Sequence, residues 1–485
     1  MQVRDLKPNL IWGFFEDITQ IPHPSKKEEK IVEFLMGFAE KHGLEVQKDK
    51  ALNVVISKPA TPGKENLKTV ILQSHVDMVC EKNSDTVFNF DTDPIDAYVD
   101  GEWVKAKGTT LGADDGIGVA ASLAILASND LEHGPIKALF TTDEETGLTG
   151  ANALDPALLD ADILINLDSE EWGEFCIGCA GGKNTQGIFT YQPEKAPKDY
   201  FWFEVKVSGL NGGHSGSDIH VGLGNANKII DRYLYTLLQE APLRLAKIDG
   251  GNLHNAIARE ASAVAGIPIG SKERAAVLVN TLQSELSAEL AYTDKNVKIQ
   301  ISSVEEPTDC IDERTSNNLI NAIYGIPHGV MGWSFEMENT VETSTNLASV
   351  KMKEGNKIVI VTSQRSSTNS LKVDVANMVA SVLTLAEAEV ISSDGYPGWK
   401  PNADSPILKV SKAVYEKMFG ETPVVYSIHA GLECGLFSEK NPKLDMISCG
   451  PTVLGAHSPE ERVEIATVAK WWDFLVELLK EIPAK

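Results

Sequence analysis

Hydrophobic and polar positions follow two different grammars along the 485 residues. In the first third, short apolar runs (Thr69-Val70-Ile71-Leu72, Ile136-Lys137-Ala138-Leu139-Phe140, Ile163-Leu164-Ile165) alternate with helical stretches. Runs of this length bounded by turns predict buried strands. Ser25 with Glu28 reads as a capping box that opens a helix through about Lys41, closed by Gly43, and Ile117 to Ala127 reads as an apolar helix. The C-terminal stretch resumes the pattern, with a helix over Ser405 to Phe419 and strands at Val424-Val425-Tyr426 and Met446-Ile447-Ser448. There Ser458 with Glu461 predicts the cap of a closing helix that carries Trp471, Trp472 and Leu479. Strands alternating with helices predict an α/β fold with a mostly parallel sheet flanked by helices.

The middle reads differently. Strands such as Phe201 to Val207 and Lys357 to Val361 are followed by helices such as Glu273 to Leu290 and Leu371 to Ala388, in an α+β pattern with long intervals. The expectation is a catalytic domain in two parts, residues 1–181 and 394–485, split by an inserted α+β domain over residues 182–393. Pro397-Gly398-Trp399-Lys400-Pro401 reads as the hinge back into the catalytic half.

Composition narrows the partners. With 44 basic and 69 acidic residues the chain carries −25, which argues against nucleic acid or an anionic membrane as partner. No basic start with an apolar core and no membrane-length apolar stretch occurs, so a cytoplasmic protein is expected. Six scattered cysteines are too few for a disulfide framework in so long a chain, and Cys176-Ile177-Gly178-Cys179 lacks the second pair of a zinc finger. They read as buried thiols.

The candidate chemistry lies where predicted strands and glycine-rich turns end: Ser74-His75-Val76-Asp77, Gly112-Ala113-Asp114-Asp115-Gly116, Thr142-Asp143-Glu144-Glu145-Thr146 and Asn166-Leu167-Asp168-Ser169, with Ala456-His457-Ser458 far downstream. Active sites of open α/β sheets occupy such strand ends. A hydrolase with two zinc ions needs a bridging carboxylate, terminal imidazole or carboxylate ligands, and a further carboxylate to take the water's proton. His75 and Asp77 point the same way on an extended segment, so Asp77 can hold the second ring nitrogen. Of Glu144 and Glu145, one is free to bind metal and the other to act as base, while Asp115 also fits a plain helix N-cap. The rival reading of the same residues is a carboxylate-rich binding protein.

The blocks Leu72-Gln73-Ser74-His75-Val76-Asp77, Gly108-Thr109-Thr110-Leu111-Gly112-Ala113-Asp114-Asp115-Gly116 and Thr141-Thr142-Asp143-Glu144-Glu145-Thr146-Gly147 resemble the signatures of the co-catalytic zinc exopeptidases that include carnosinase, aminoacylase and the bacterial tripeptidase. Further matches at Gly212-Gly213-His214-Ser215-Gly216 and His429-Ala430-Gly431-Leu432-Glu433 extend the resemblance over most of the chain. It implies two Zn2+ per subunit, with Mn2+ or Co2+ as substitutes. Asp114 then bridges, His75 and Asp168 complete one metal, Glu145 and His457 the other, Glu144 is the general base and Asp77 orients His75. His429 is the rival of His457. In the inserted domain the resemblance makes His214 the oxyanion donor and Arg365 the partner of the substrate carboxylate, and it places Asn255 in a substrate-facing loop; His220 and His254 stay unassigned.

The same resemblance implies a cis bond between Asp114 and Asp115, a homodimer formed through the inserted lid, and hydrolysis of unblocked Xaa-His dipeptides, carnosine included. Its alternatives are a broader dipeptidase, an N-acyl amino-acid deacylase, or a catalytically silent zinc-binding relative.

Overall fold

The computed structural model describes residues 2–485, which divide into two compact units. One comprises the chain up to Gly178 with Trp399–Ser427 and Leu432–Lys485; the other comprises Cys179–Gly398 with Ile428–Gly431.

The first unit is built on a sheet of eight strands in the order Glu45–Lys48, Val54–Lys58, Ile136–Thr141, Val70–His75, Ile163–Asn166, Asp445–Ser448, Glu174–Cys179, Val424–Ile428. Its middle is parallel, Val70–His75 pairing with Ile136–Thr141 on one side and Ile163–Asn166 on the other, and Ile163–Asn166 with Asp445–Ser448. All six residues of Val70–His75 are buried, the pattern of a strand covered on both faces. The sheet is less parallel than the alternation of elements predicts. Glu45–Lys48 and Val54–Lys58 are joined by only five residues, a link too short for a parallel crossover, and they pair antiparallel. Asp49 fixes that turn by accepting the amides of Ala51 at 2.9 Å and Asn53 at 3.0 Å.

Two predicted caps take other work. The second helix runs over Glu29–His42 and ends at Gly43 in the left-handed region (φ 66°), but Ser25 does not cap it. Ser25 donates instead to Asp77 Oδ2 at 2.7 Å, and Glu28 accepts the amides of Lys26 and Asp143. The closing helix starts at Ile465, after a short strand Arg462–Glu464, so Ser458 and Glu461 stand before it without capping it. Ser405 does cap its helix, accepting the Leu408 amide at 3.2 Å. The helix Ala113–Ala127 opens irregularly, with a cis bond between Asp114 and Asp115.

The second unit is antiparallel throughout its main sheet: Lys298–Ser303, Tyr200–Ser208, Ala261–Pro268, Arg244–Gly250, Val341–Lys353, Lys357–Ser366, Gly181–Thr190, Glu389–Ser392, with Gly329–Trp333 also on Val341–Lys353. Phe203, Val205 and Val207 alternate inward, meeting Tyr233 and Leu234 of the helix Ala226–Glu240 in one apolar core. The helices Lys272–Glu289, Glu313–Gly325 and Asn369–Leu385 add Leu282, Leu319 and Val379 to that core. Among the described residues, no helix is long and apolar enough to cross a membrane, and the six cysteines form no disulfide.

Candidate metal centre and peptide site

Three adjacent parallel strands deliver the polar residues of the first unit at their C-terminal ends. His75 is the last residue of Val70–His75, Glu144 and Glu145 follow Ile136–Thr141, and Asp168 follows Ile163–Asn166. Asp114 comes from the irregular first turn of its helix, and His457 from the loop between Val453–Leu454 and Arg462–Glu464 at a positive φ of 63°. The structure gathers His75, Asp168, Glu145 and His457 around the Asp114 carboxylate, with Glu144 beside Glu145. Oδ1 of Asp114 lies 3.2 Å from His75 Nε2, which is also 3.6 Å from Asp168 Oδ1. Oδ2 lies 3.3 Å from His457 Nε2, which is 3.0 Å from Glu145 Oε2. Two sets of donors thus share one carboxylate, one oxygen each.

Charge and burial act on these groups in opposite directions. Burial opposes ionisation of Asp114, yet the two imidazoles hold its carboxyl far below the usual range, His457 most strongly. In return, hydrogen bonds donated to Asp114 and then to Glu145 pull His457 up to about 11. His75 is held well above its ordinary value against its own burial, chiefly by Asp168 and Asp114. Asp168 and Glu144 are pushed up by burial first and by neighbouring carboxylates after it. Glu145 Oε1 is buried with no partner. Asp114, Glu144, Glu145 and Asp168 carry four negative charges when ionised, which two divalent cations would offset. His75, Asp114 and Glu145 also bring donor atoms within 4.8 Å of one another. These nitrogen and oxygen donors suit a metal pair.

Asp77 does more than orient a ring. His75 Nδ1 stands 3.0 Å from its carbonyl oxygen and 3.5 Å from its Oδ1, so Nε2 faces the cluster. The Asp77 carboxylate also accepts the amides of Glu144 at 3.0 Å and Glu145 at 3.2 Å, besides the Ser25 hydroxyl. Burial opposes its ionisation, and the His75 hydrogen bond leads the interactions that bring it down to about 2. Glu28, Asp77 and Asp143 form a second close carboxylate group. Their oxygens already take the amides of Lys26, Asp143, Glu144 and Glu145 and the hydroxyls of Ser25 and Thr146, so this group acts as a clamp on the loop.

Glu461 is the residue that sequence reasoning misassigned here. Its Oε2 accepts the amides of Leu111 (2.6 Å) and Gly112 (3.0 Å), and its Oε1 those of Ala113 (2.7 Å) and Asp114 (3.2 Å). A buried carboxylate therefore holds the turn that carries Asp114, an anion in a nest of amides at a helix start. Glu433, to which the sequence reading gives no role of its own, is fully buried and accepts from Gln73 at 2.6 Å and Thr141 at 2.8 Å, and burial pushes it up to about 7. Asp115 is buried in the irregular first turn of its helix, and burial pushes its carboxyl well above the usual range.

The second unit holds the remaining residues. His214 Nδ1 accepts the amides of Gly216 at 3.3 Å and Ser217 at 3.1 Å, so the proton of the neutral ring sits on Nε2. Burial, then Arg365, lowers its pKa and favours that neutral form. Arg365 lies near the end of Lys357–Ser366, 6% exposed, donating from Nη1 to the Tyr396 hydroxyl at 3.2 Å. Asn255 is exposed in the loop after Arg244–Gly250, its carbonyl accepting the Ser215 amide at 2.8 Å. His429 is buried, hydrogen bonded through Nε2 to Ser344 Oγ at 2.8 Å, and burial, then Arg365, brings it down to about 3. That ring is committed to Ser344, while the His457 ring meets Asp114 and Glu145.

Residues 71–481 match the model of the peptidase family M20/M25/M40. The chain is similar to the cytosol non-specific dipeptidase of Escherichia coli (strain K12), 45% identical over 484 residues that cover 100% of both chains. Among solved structures it is similar to the aminoacylhistidine dipeptidase from Vibrio alginolyticus, with a TM-score of 0.95, 45% identity, and 100% and 99% of the two chains covered. A tripeptidase from Staphylococcus aureus shares the fold at a TM-score of 0.57 and 16% identity, with 98% and 99% covered. With carboxylates and histidines gathered around Asp114, and with full-length relatives that are dipeptidases, the chain belongs to peptidase family M20/M25/M40 and is a metallopeptidase, a hydrolase.

Proposed function

We propose that this protein is a dizinc dipeptidase that cleaves dipeptides with both ends free, Xaa-His dipeptides and carnosine among them. The observation that carries the reading is the division of the Asp114 carboxylate, with His75 and Asp168 beside one oxygen and Glu145 and His457 beside the other. His75 and Asp168 would hold one zinc, Glu145 and His457 the other, and Asp114 both; the nitrogen and oxygen donors also admit Mn2+ or Co2+. Bound there, the metal pair supplies a water of lowered pKa and polarises the scissile carbonyl.

The chain's own residues do the rest. Glu144 stands beside the ligand Glu145 on a loop pinned by Asp77, and it takes the attacking water's proton and passes it to the leaving amine. His214, its proton held on Nε2, donates to the oxyanion. Arg365 receives the peptide's carboxylate, which guanidinium binds in a planar, two-bond fashion, and Asn255 faces the substrate. Residues 182–393 act as the lid through which a cytoplasmic homodimer forms. The E. coli relative is named a non-specific dipeptidase and the Vibrio relative an aminoacylhistidine dipeptidase, which supports dipeptide substrates with Xaa-His dipeptides among them.

The test is hydrolysis by zinc-loaded protein of carnosine, a second free dipeptide and an N-acetyl amino acid. The proposal expects cleavage of both dipeptides and none of the acetylated compound. Cleavage of the acetylated compound alone would make the protein a deacylase, and inactivity on all three would make it a silent relative.

A further inference from the structure

Tyr396 lies in a segment that sequence reading treats only as the approach to a hinge. The structure fixes it with care. Its amide and carbonyl pair with the carbonyl and amide of Gly182 at 2.9 and 3.1 Å, and its carbonyl also takes the Lys372 ammonium. The ring rests where side chains would otherwise stand: a Cβ on Gly182 would come within 2.7 Å of the ring and hydroxyl, and one on Gly431 within 2.8 Å. Both positions leave room for the ring only because they are glycine.

The hydroxyl so placed accepts from Arg365 Nη1 at 3.2 Å, and no other hydrogen bond to it is found among the described residues. A phenol that accepts one bond keeps its own proton to donate. Arg365 in turn is buried, with Nε lacking any protein partner. Arg365, Tyr396, His254, Ser363 and Asn184 line a cavity of 80 Å³, and no carboxylate is among its lining residues. In a chain of net charge −25 the absence of acidic groups from that wall marks it as suited to an anion. Its size, far below the ~300 Å³ or more of sites that enclose whole small molecules, fits a single charged group of a larger ligand.

We propose that Tyr396 is a second donor to the peptide's terminal carboxylate, its hydroxyl held by Arg365 and aimed with it into this cavity, and so determines the preference for free over blocked C-termini. The inference rests on the dipeptidase reading for the identity of the ligand.

The experiment measures equilibrium binding, by calorimetry on zinc-loaded protein, of a dipeptide analogue whose scissile amide is replaced by a methylene amine, in carboxylate and carboxamide forms. Wild type should bind the carboxylate form more tightly. Tyr396→Phe removes one oxygen and leaves the ring on its two glycines. It should weaken the carboxylate form about tenfold to a hundredfold, the size of a lost hydrogen bond to a charged group, and the carboxamide form less than threefold. Turnover of the free dipeptide should fall mainly through KM. Equal weakening of both forms, or none of the carboxylate form, overturns the role of Tyr396. A wild type that prefers the carboxylate form without cleaving any dipeptide sinks the proposed function and leaves this inference standing, provided that the Tyr396→Phe loss is confined to that form.

Discussion

The two units carry their chemistry in different places. In the first, every proposed metal ligand lies at or beyond a strand end or in a loop or helix start, converging from sequence positions as distant as His75 and His457, and the carboxylates of Asp77 and Glu461 clamp the amides of the segments carrying Glu145 and Asp114. In the second, Arg365 sits within a strand of an antiparallel sheet, and its partner Tyr396 is placed by the close approach of two glycines. A parallel sheet collects its loops at one end, so it suits a centre that needs many ligands at once. An antiparallel sheet offers single side chains on a rigid surface, which suits grip on one end of a substrate. On this account the first unit does the bond breaking, while the second holds the peptide and donates to the oxyanion.

The largest expected effect is at the base. Glu144→Gln should retain both metals and lose turnover by ~10²- to 10⁴-fold, whereas Glu145→Gln should lose metal; elemental analysis beside a rate assay separates the two. Near wild-type turnover in Glu144→Gln would remove the base from the first unit. Next comes His214→Ala, which should cost ~10²- to 10³-fold in kcat with metal content and melting temperature unchanged. A loss of metal instead would erase the division of labour between the units. Arg365→Ala should follow, weakening kcat/KM on free dipeptides by roughly 30- to 100-fold, the loss of a charge-assisted hydrogen bond, and far less on their C-terminal amides. An equal loss on both would mean that the strand position serves folding alone.

The smallest effect should be on stability. Glu461→Ala removes the acceptor of four amides, and leaving buried donors unpaired costs about 2 to 3 kcal/mol. A lowered melting temperature should be accompanied by weaker zinc retention, because the turn it holds carries Asp114. Undiminished stability would show that water replaces the carboxylate without cost.

The same contrast explains what the sequence disclosed. Apolar runs giving way to polar residues marked the strand ends near His75, Glu144 and Asp168, because parallel strands buried on both faces are mostly apolar and these three carry polar residues at their C-terminal ends. Local cap rules misled at Ser25, Ser458 and Glu461. Each has the side chain of a helix cap, but Ser25 and Glu461 found stronger work over long sequence distances, on Asp77 and on the Leu111 to Asp114 amides. Such partners leave no periodic trace. Tyr396 was invisible for a related reason: its placement depends on Gly182 and on Gly431, which only folding brings beside it. The antiparallel edge of the first sheet was hidden in a five-residue link that reads equally well as a loop between unrelated elements.

In the proposed enzyme Asp114 bridges two metal ions, and diffraction from zinc-loaded crystals on either side of the zinc absorption edge tests this most directly. Two anomalous peaks about 3.5 to 4 Å apart are expected, one beside His75 and Asp168 and the other beside Glu145 and His457, with the Asp114 carboxylate between them. A single peak, or a pair centred on any other carboxylate, would contradict it.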